Sequence, residues 1–299
     1  MPRTQKPAKK FSKTAGKKKP KKDNNFYVAV VRLQGEIRSN AYEDHDGISY
    51  DKFESVIKEA FAWEQGKAVA LDIECCGGSP AETELIAREI RRNAKEFEKP
   101  VYAFVRNGAL SGGYWLACAA NKIFALPTSE VGSIGVIHKS MGFHRFNKKK
   151  GFEPRIITAG TNKSQMDPNL PLKKRDVKRM KKELAELHKE FIAWVSSRRG
   201  RKLKGDKKEL FSGETWQGRR ALKRGLIDGI GDLKSVMTGM SENPVLFRLF
   251  SPPKEKQSLQ DMFISALSGA AGTDGGNEDA RREPEQYAFK SARPRLQFG

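Results

Sequence analysis

Between residues 26 and 250 the chain alternates two hydrophobic patterns. Short runs rich in β-branched and aromatic residues predict strands at 26–33, 67–73, 100–105, 122–125, 134–137, 155–158 and 244–250. Stretches with apolar residues three and four apart predict helices at 49–63, 80–93, 111–120, 141–150, 172–199, 214–224 and 233–240. In the first of these helices Phe53, Val56, Ile57 and Ala60 fall on one face. Ser79 precedes Pro80, a favoured first helical residue, so Ser79 is expected to cap that helix. The 172–199 helix carries Val177, Met180, Leu184, Leu187, Phe191 and Trp194 in one stripe, read as core or subunit packing. Strands followed by helices predict an α/β fold, a mainly parallel sheet flanked by helices, in one domain over residues 26–250. No internal repeat is visible.

The ends of the 299-residue chain read differently. Residues 1–25 hold ten Lys/Arg against the single acid Asp23, and the far end is rich in Gly, Pro and charge without sustained periodicity. The expectation is a disordered basic tail at 1–25 and a C-terminal tail at 251–299, partly helical and then disordered. Only 37% of residues are hydrophobic, 31% are charged, and the net charge is +21. That charge suits contact of residues 1–25 with an anionic membrane surface or nucleic acid, or simply solubility; no nucleic-acid-binding motif accompanies it. No apolar run approaches the ~18 residues of a membrane span, and no signal peptide is recognisable. With three cysteines, Cys75, Cys76 and Cys118, the expectation is a cytoplasmic protein, at most peripheral to a membrane, with reduced thiols. No Cys-x-x-Cys or His-x-x-x-His spacing supports a metal, and no cofactor motif is present.

Candidate chemistry centres on Ser111, which lies between a predicted strand and a predicted helix and is followed by Gly112 and Gly113. Helix-start amides there are free to hold an oxyanion, so the hydroxyl is either a helix cap or a nucleophile. A nucleophilic serine needs a base. His45, His138, His144 and His188 do not form a recognisable triad pattern with an acid. Lysine is the alternative base, and Lys163 stands out in a loop of small and polar residues after a predicted strand. Asp167 and Asp228 are read as loop-holding hydrogen-bond acceptors, and Lys173, Lys174, Arg175, Lys178 and Arg179 as a solvated helix face.

Five segments in order resemble the signal peptide peptidase A family of Ser–Lys peptidases. They are Gly77-Gly78-Ser79-Pro80, Ser111-Gly112-Gly113-Tyr114, Val131 to Val136 around Gly132-Ser133-Ile134-Gly135, Ala159-Gly160 through Lys163 to Asp167-Pro168, and Gly225-Leu226-Ile227-Asp228. The resemblance implies the Clp protease/crotonase-like fold of repeated ββα units. It implies a serine endopeptidase acting on peptides, such as signal-peptide remnants or unfolded segments, at small or apolar residues. Ser111 matches the family's nucleophile, Lys163 its base and Ser133 a hydroxyl that orients the base; the amides of Gly78 and Gly112 match its oxyanion hole. Short members form homo-oligomeric rings whose neighbours complete the active sites, so a ring is expected here. Cys75-Cys76 stands where relatives carry Ser-Pro, and the Lys-rich 1–25 segment stands where many carry a membrane anchor. A crotonase-type acyl-CoA enzyme and a noncatalytic scaffold binding anionic surfaces remain the alternative classes.

Overall fold

A computed structural model describes residues 24–39 and 47–252. The chain divides into one unit over Met1–Pro252 and another over Pro253–Gly299. The expected tails at 1–25 and 251–299 lie almost wholly outside the described residues.

The first three strands and helices follow one another as β1 Phe26–Gln34, α1 Tyr50–Ala62, β2 Gly66–Cys75, α2 Pro80–Glu96, β3 Val101–Leu110 and α3 Gly112–Ala117. Two strands, β4 Lys122–Ala125 and β5 Glu130–Gly132, come next without a helix between them. After α4 His144–Lys150 and the long α5 Lys174–Arg199, short elements close the fold: α6 Lys207–Leu210, β6 Thr215–Gln217, α7 Gly218–Lys223, β7 Gly229–Ile230, α8 Leu233–Gly239 and β8 Val245–Phe250. The sheet runs β6-β5-β3-β2-β1-β8, with β4 branching from β3 and β7 pairing with β4. Every pairing is parallel except β5 with β6.

Alternating residues of β1 and β2 supply two buried faces, which is why these strands read as continuous apolar runs. Ala29, Val31, Leu33, Val69, Leu71 and Ile73 belong to the larger core, together with Phe53, Val56, Ile57, Ala60 and Phe61 of α1 and Ile86 and Ile90 of α2. Val28, Val30, Ala68, Ala70 and Phe104 form the second core with Met237 of α8. The α1 face expected from periodicity is therefore the buried one, and Ser49 caps that helix by accepting from the Lys52 amide. Ser79 occupies the equivalent position before α2 without a side-chain cap bond; its carbonyl instead accepts from Thr83 Oγ1 at 2.7 Å.

The site depends on a fork in β3. Its first half, Tyr102 to Val105, pairs with β4, and its second half, Gly108 to Leu110, pairs with β5. Between the halves β3 gains two residues relative to β2, since Ile73 faces Val105 and Cys75 faces Ala109. The end of β3 thus departs from β4 and lies beside the end of β5.

Four expected elements differ. The strand expected at 134–137 is instead β5, four residues earlier: the chain leaves the ladder at Gly132 (φ +123°) and Ser133 (φ +53°). Residues 155–158 have no ladder partner among the described residues, and Ile157 is 98% exposed. The 141–150 helix begins only at His144. The 214–224 helix begins at Gly218, because Thr215–Gln217 pairs antiparallel with β5.

Candidate active site

Ser111 sits at the junction of β3 and α3 with φ +51° and ψ −121°. A residue with a side chain is held in that region only when its surroundings over-determine it, at a cost of ~1–3 kcal/mol. Three hydrogen bonds do so. The Ser111 amide donates to Gly132 O at 2.9 Å, and its carbonyl accepts from the Tyr114 and Trp115 amides at 2.9 and 3.0 Å. Gly113 lets α3 press against the end of β2, since a Cβ there would lie 2.5 Å from Cys75 O. The result is a half-buried serine on a sharp turn at the start of a buried helix.

The glycine pair after β2 reaches the same turn. A Cβ on Gly77 would meet Ser111 Cβ at 2.8 Å and Gly112 N at 3.1 Å, so the two loops touch. Gly78 pairs with Ile37: the Ile37 amide donates to Gly77 O and the Ser79 amide donates to Ile37 O, each at 2.8 Å. Because the Gly77–Gly78 peptide is trans, its N–H points opposite to its carbonyl and therefore away from Ile37. Only glycine serves at 78, where φ is +146° and a Cβ would lie 2.0 Å from Ile37 O. Neither the Gly78 nor the Gly112 amide donates a hydrogen bond among the described residues. Two free amides flanking a hydroxyl on a strained turn can receive the oxyanion formed when that hydroxyl attacks a carbonyl.

Cys75 is buried against this loop, with the Gly77 amide donating to its Sγ at 3.4 Å, and burial pushes the thiol up to about 12. Cys118, on the far end of α3, is likewise pushed up to about 12 by burial. Cys76 is exposed, directly before the glycine pair.

The fork brings Ser133 to Ser111. Leu110 faces Gly132 across β3 and β5, so the residues that follow each strand are neighbours, tied by the Ser111–Gly132 hydrogen bond. Ser133 is half-buried at φ +53°, its amide donating to Glu214 O at 2.8 Å. Lys163 is not brought to them within this chain. It lies exposed in a turn, its amide donating to Gly160 O at 3.2 Å, and no hydrogen bond joins it to Ser111 among the described residues. The turn is tethered to α5, where Arg179 donates to Gln165 at 3.2 Å. In the sequence on either side of it the chain exposes Ile137, Met141, Phe143, Phe146, Phe152, Ile157 and Leu172, and residues 135–182 carry fourteen Lys/Arg against three acids.

The residues 93–245, which contain Ser111, Ser133 and Lys163, match the model of peptidase family S49. The chain belongs to peptidase family S49. The chain is 41% identical over 227 residues to the Na(+)/H(+) antiporter NhaA of Brucella abortus, covering 76% of this chain and 31% of that one. It is 29% identical over 211 residues to Protease 4 of Haemophilus influenzae, covering 70% and 34%. It is 28% identical over 260 residues to the chloroplastic serine protease SPPA of Arabidopsis thaliana, covering 83% and 37%. The chain therefore spans about a third of these relatives' length. A solved structure of a serine-to-alanine variant of the 1510-N membrane-bound stomatin-specific protease aligns at a TM-score of 0.48 and 16% identity, covering 75% of this chain and 98% of that one. No described helix of this S49 chain is long and apolar enough to cross a membrane.

Asp167 accepts from the Asn169 amide at 2.8 Å, a local loop contact. Asp228 acts over a longer range: it accepts from the Ile123 amide, from Arg199 at 2.6 Å and from Lys202 at 2.7 Å. The α5 stripe splits. Phe191 is buried on Trp115 of α3 and Trp194 donates to the Trp115 carbonyl, whereas Leu187 is 43% exposed. His188, one of the four histidines without a recognisable triad pattern, has its Nε2 3.0 Å from the carbonyl oxygen of Ile134, directly after Ser133.

Proposed function

We propose that this chain is a serine endopeptidase using a Ser–Lys dyad. Lys163, as the free amine, takes the Ser111 proton while Ser111 Oγ attacks a peptide carbonyl. The tetrahedral oxyanion is held by the Gly78 and Gly112 amides, and Ser133 Oγ orients the lysine. Collapse of the intermediate breaks the C–N bond, Lys163 returns the proton to the leaving amine, and water then hydrolyses the Ser111 acyl ester by the same path. The observation that carries this reading is the strained Ser111 turn beside two unengaged glycine amides. A helix cap alone gives no reason for that strain, and the Ser111 side chain makes no cap bond.

Lys163 is supplied by a neighbouring copy in a homo-oligomer. Its exposure, the absence of a bond to Ser111 and the uncovered apolar side chains on either side of it in the sequence all support assembly. Substrates are peptides, taken at small or apolar residues, as in signal-peptide remnants or unfolded segments. Residues 1–25, with their ten cations, provide a peripheral contact to an anionic membrane or nucleic acid.

A fluorophosphonate probe tests the nucleophile. The expected result is stoichiometric labelling of Ser111 in the parent protein, none in Ser111→Ala, and slowed labelling in Lys163→Ala, with peptide cleavage following labelling. Labelling of another residue, or unchanged cleavage in either variant, overturns the assignment. Turnover of an acyl-CoA ester instead of a peptide shifts the reading to the crotonase class.

A further inference from the structure

The turn at Ser133 is a strained element without an obvious internal reason to stay put. Gly132 at φ +123° and Ser133 at φ +53° are consecutive, and only the first is a glycine. Gly132 is required at its position, because a Cβ would meet Glu214 O at 2.7 Å and the Trp216 ring at 2.9 Å. Ser133 has no such freedom, so its conformation persists only through the bonds around it. Those bonds are four: the Ser111 amide to Gly132 O at 2.9 Å, the Ser133 amide to Glu214 O at 2.8 Å, the Gly135 amide to Ser133 O at 2.9 Å, and the 3.0 Å contact between His188 Nε2 and Ile134 O. Three are backbone to backbone and any sequence can make them. The fourth is made by a side chain.

Ile134 is fully buried, so its carbonyl needs a donor. A carbonyl oxygen only accepts, so His188 Nε2 carries the hydrogen. The donor is also held in place. Phe191, on the next turn of α5, packs on Trp115 with ring centroids 5.0 Å apart, and Trp194 Nε1 donates to Trp115 O at 3.0 Å. Trp115 belongs to α3, the helix that Ser111 opens. One stretch of α5 from His188 to Trp194 thus clamps both the Ser111 helix and the Ser133 turn, and the Gly132 carbonyl that precedes this turn receives the Ser111 amide.

We infer that His188 is a positioning residue for the reaction, fixing the left-handed turn that aims Ser133 Oγ and, through Gly132 O, the Ser111 backbone. This rests on the Ser–Lys reading above. Loss of the donor frees the Ile134 carbonyl and lets the turn relax, which misaligns the hydroxyls without removing any group that touches substrate. The effect therefore falls on turnover rather than on substrate binding.

The test compares His188→Leu, which keeps apolar packing but no donor, with His188→Gln, which places an amide N–H near the position of Nε2. Expected are a kcat for the leucine variant lower by about tenfold with KM within about twofold, and recovery by glutamine to within about threefold of the parent. Fluorophosphonate labelling of Ser111 slows in parallel, and thermal unfolding confirms that each variant is folded. If the leucine variant fails to fold, His188→Asn, a donor too short to reach Ile134 O, takes its place with the same expected loss. Equal kcat in parent and leucine variant, equal losses with leucine and glutamine, or a loss confined to KM each overturn the inference. A parent protein whose Ser111 is not labelled overturns the Ser–Lys reading itself, so the two failures are distinguishable.

Discussion

Supply of the lysine by a second copy makes a quantitative prediction about mixed assemblies. The perturbation is co-expression of Ser111→Ala and Lys163→Ala chains carrying different affinity tags, followed by sequential purification of the mixed oligomer. Each variant alone lacks one member of every dyad and is expected to fall by at least about 10³-fold in kcat. In a random one-to-one assembly, half of the positions contribute Ser111. Half of their neighbours contribute Lys163. With one serine and one lysine drawn from different copies, about a quarter of the sites are complete, and specific activity returns to about a quarter of the parent value. A dyad formed within one chain gives a different number, because every chain then lacks one partner and the mixture stays at background. The assay is cleavage of a fluorogenic peptide at equal total protein, with probe labelling of Ser111 as an independent count of competent sites. The structural basis is the exposed Lys163 turn, unbonded to Ser111, with exposed apolar residues on either side of it in the sequence that include Ile157 at 98% and Phe152 at 64% exposure. A mixed oligomer no more active than either variant, from a parent that is active, refutes the reasoning.

Two further outcomes follow from the buried groups. Asp228 lies between Arg199, whose side chain is 3% exposed, and Lys202; burial raises its pKa, but the hydrogen bonds from Arg199 and Lys202 outweigh this and hold the carboxyl below its ordinary value. A carboxyl depressed by folding contributes stability that is present above its unfolded pKa of about 3.9 and lost as pH falls below it. Asp228→Asn leaves Arg199 without its charge partner and should cost ~3–5 kcal/mol in urea unfolding at pH 7, a difference from the parent that shrinks below about pH 4; a constant difference down to pH 2 would sink this account. Cys75 and Cys118 are buried with thiols pushed up to about 12, whereas Cys76 is exposed beside Gly77-Gly78. Iodoacetamide at pH 8 should therefore modify Cys76 alone in the folded protein and slow Ser111 labelling, as read by peptide mass spectrometry; rapid modification of Cys75 or Cys118 would contradict the burial argument.

Much of this chain was determined locally and could be read from it directly. The order of strands and helices through β3, the buried face of α1, the Gly77-Gly78 pair and the Ser111-Gly112-Gly113 turn depend on side-chain period and on backbone freedom within a few residues. Glycine at 78, 113 and 132 is required by close approach of other backbone, and glycine is visible in any sequence even when the approaching atom is not. The family follows from the order of such motifs.

The tertiary structure decided what depends on distant partners. β5 begins four residues before the expected strand, because Val131 pairs at once with Ala109 and with Trp216, contacts no local pattern encodes. The Ser133 turn exists where three elements meet, and His188 becomes a donor to it only because Phe191 and Trp194 dock α5 on α3, 55 residues beyond the turn in the case of His188 counted from Ser133. Period reads such a histidine as one more polar position on a long helix. Lys163 shows the same division: its residue type and loop are local facts, whereas its exposure away from any bond to Ser111 is a property of the folded chain, and it is this separation that turns a sequence motif into a prediction about two copies.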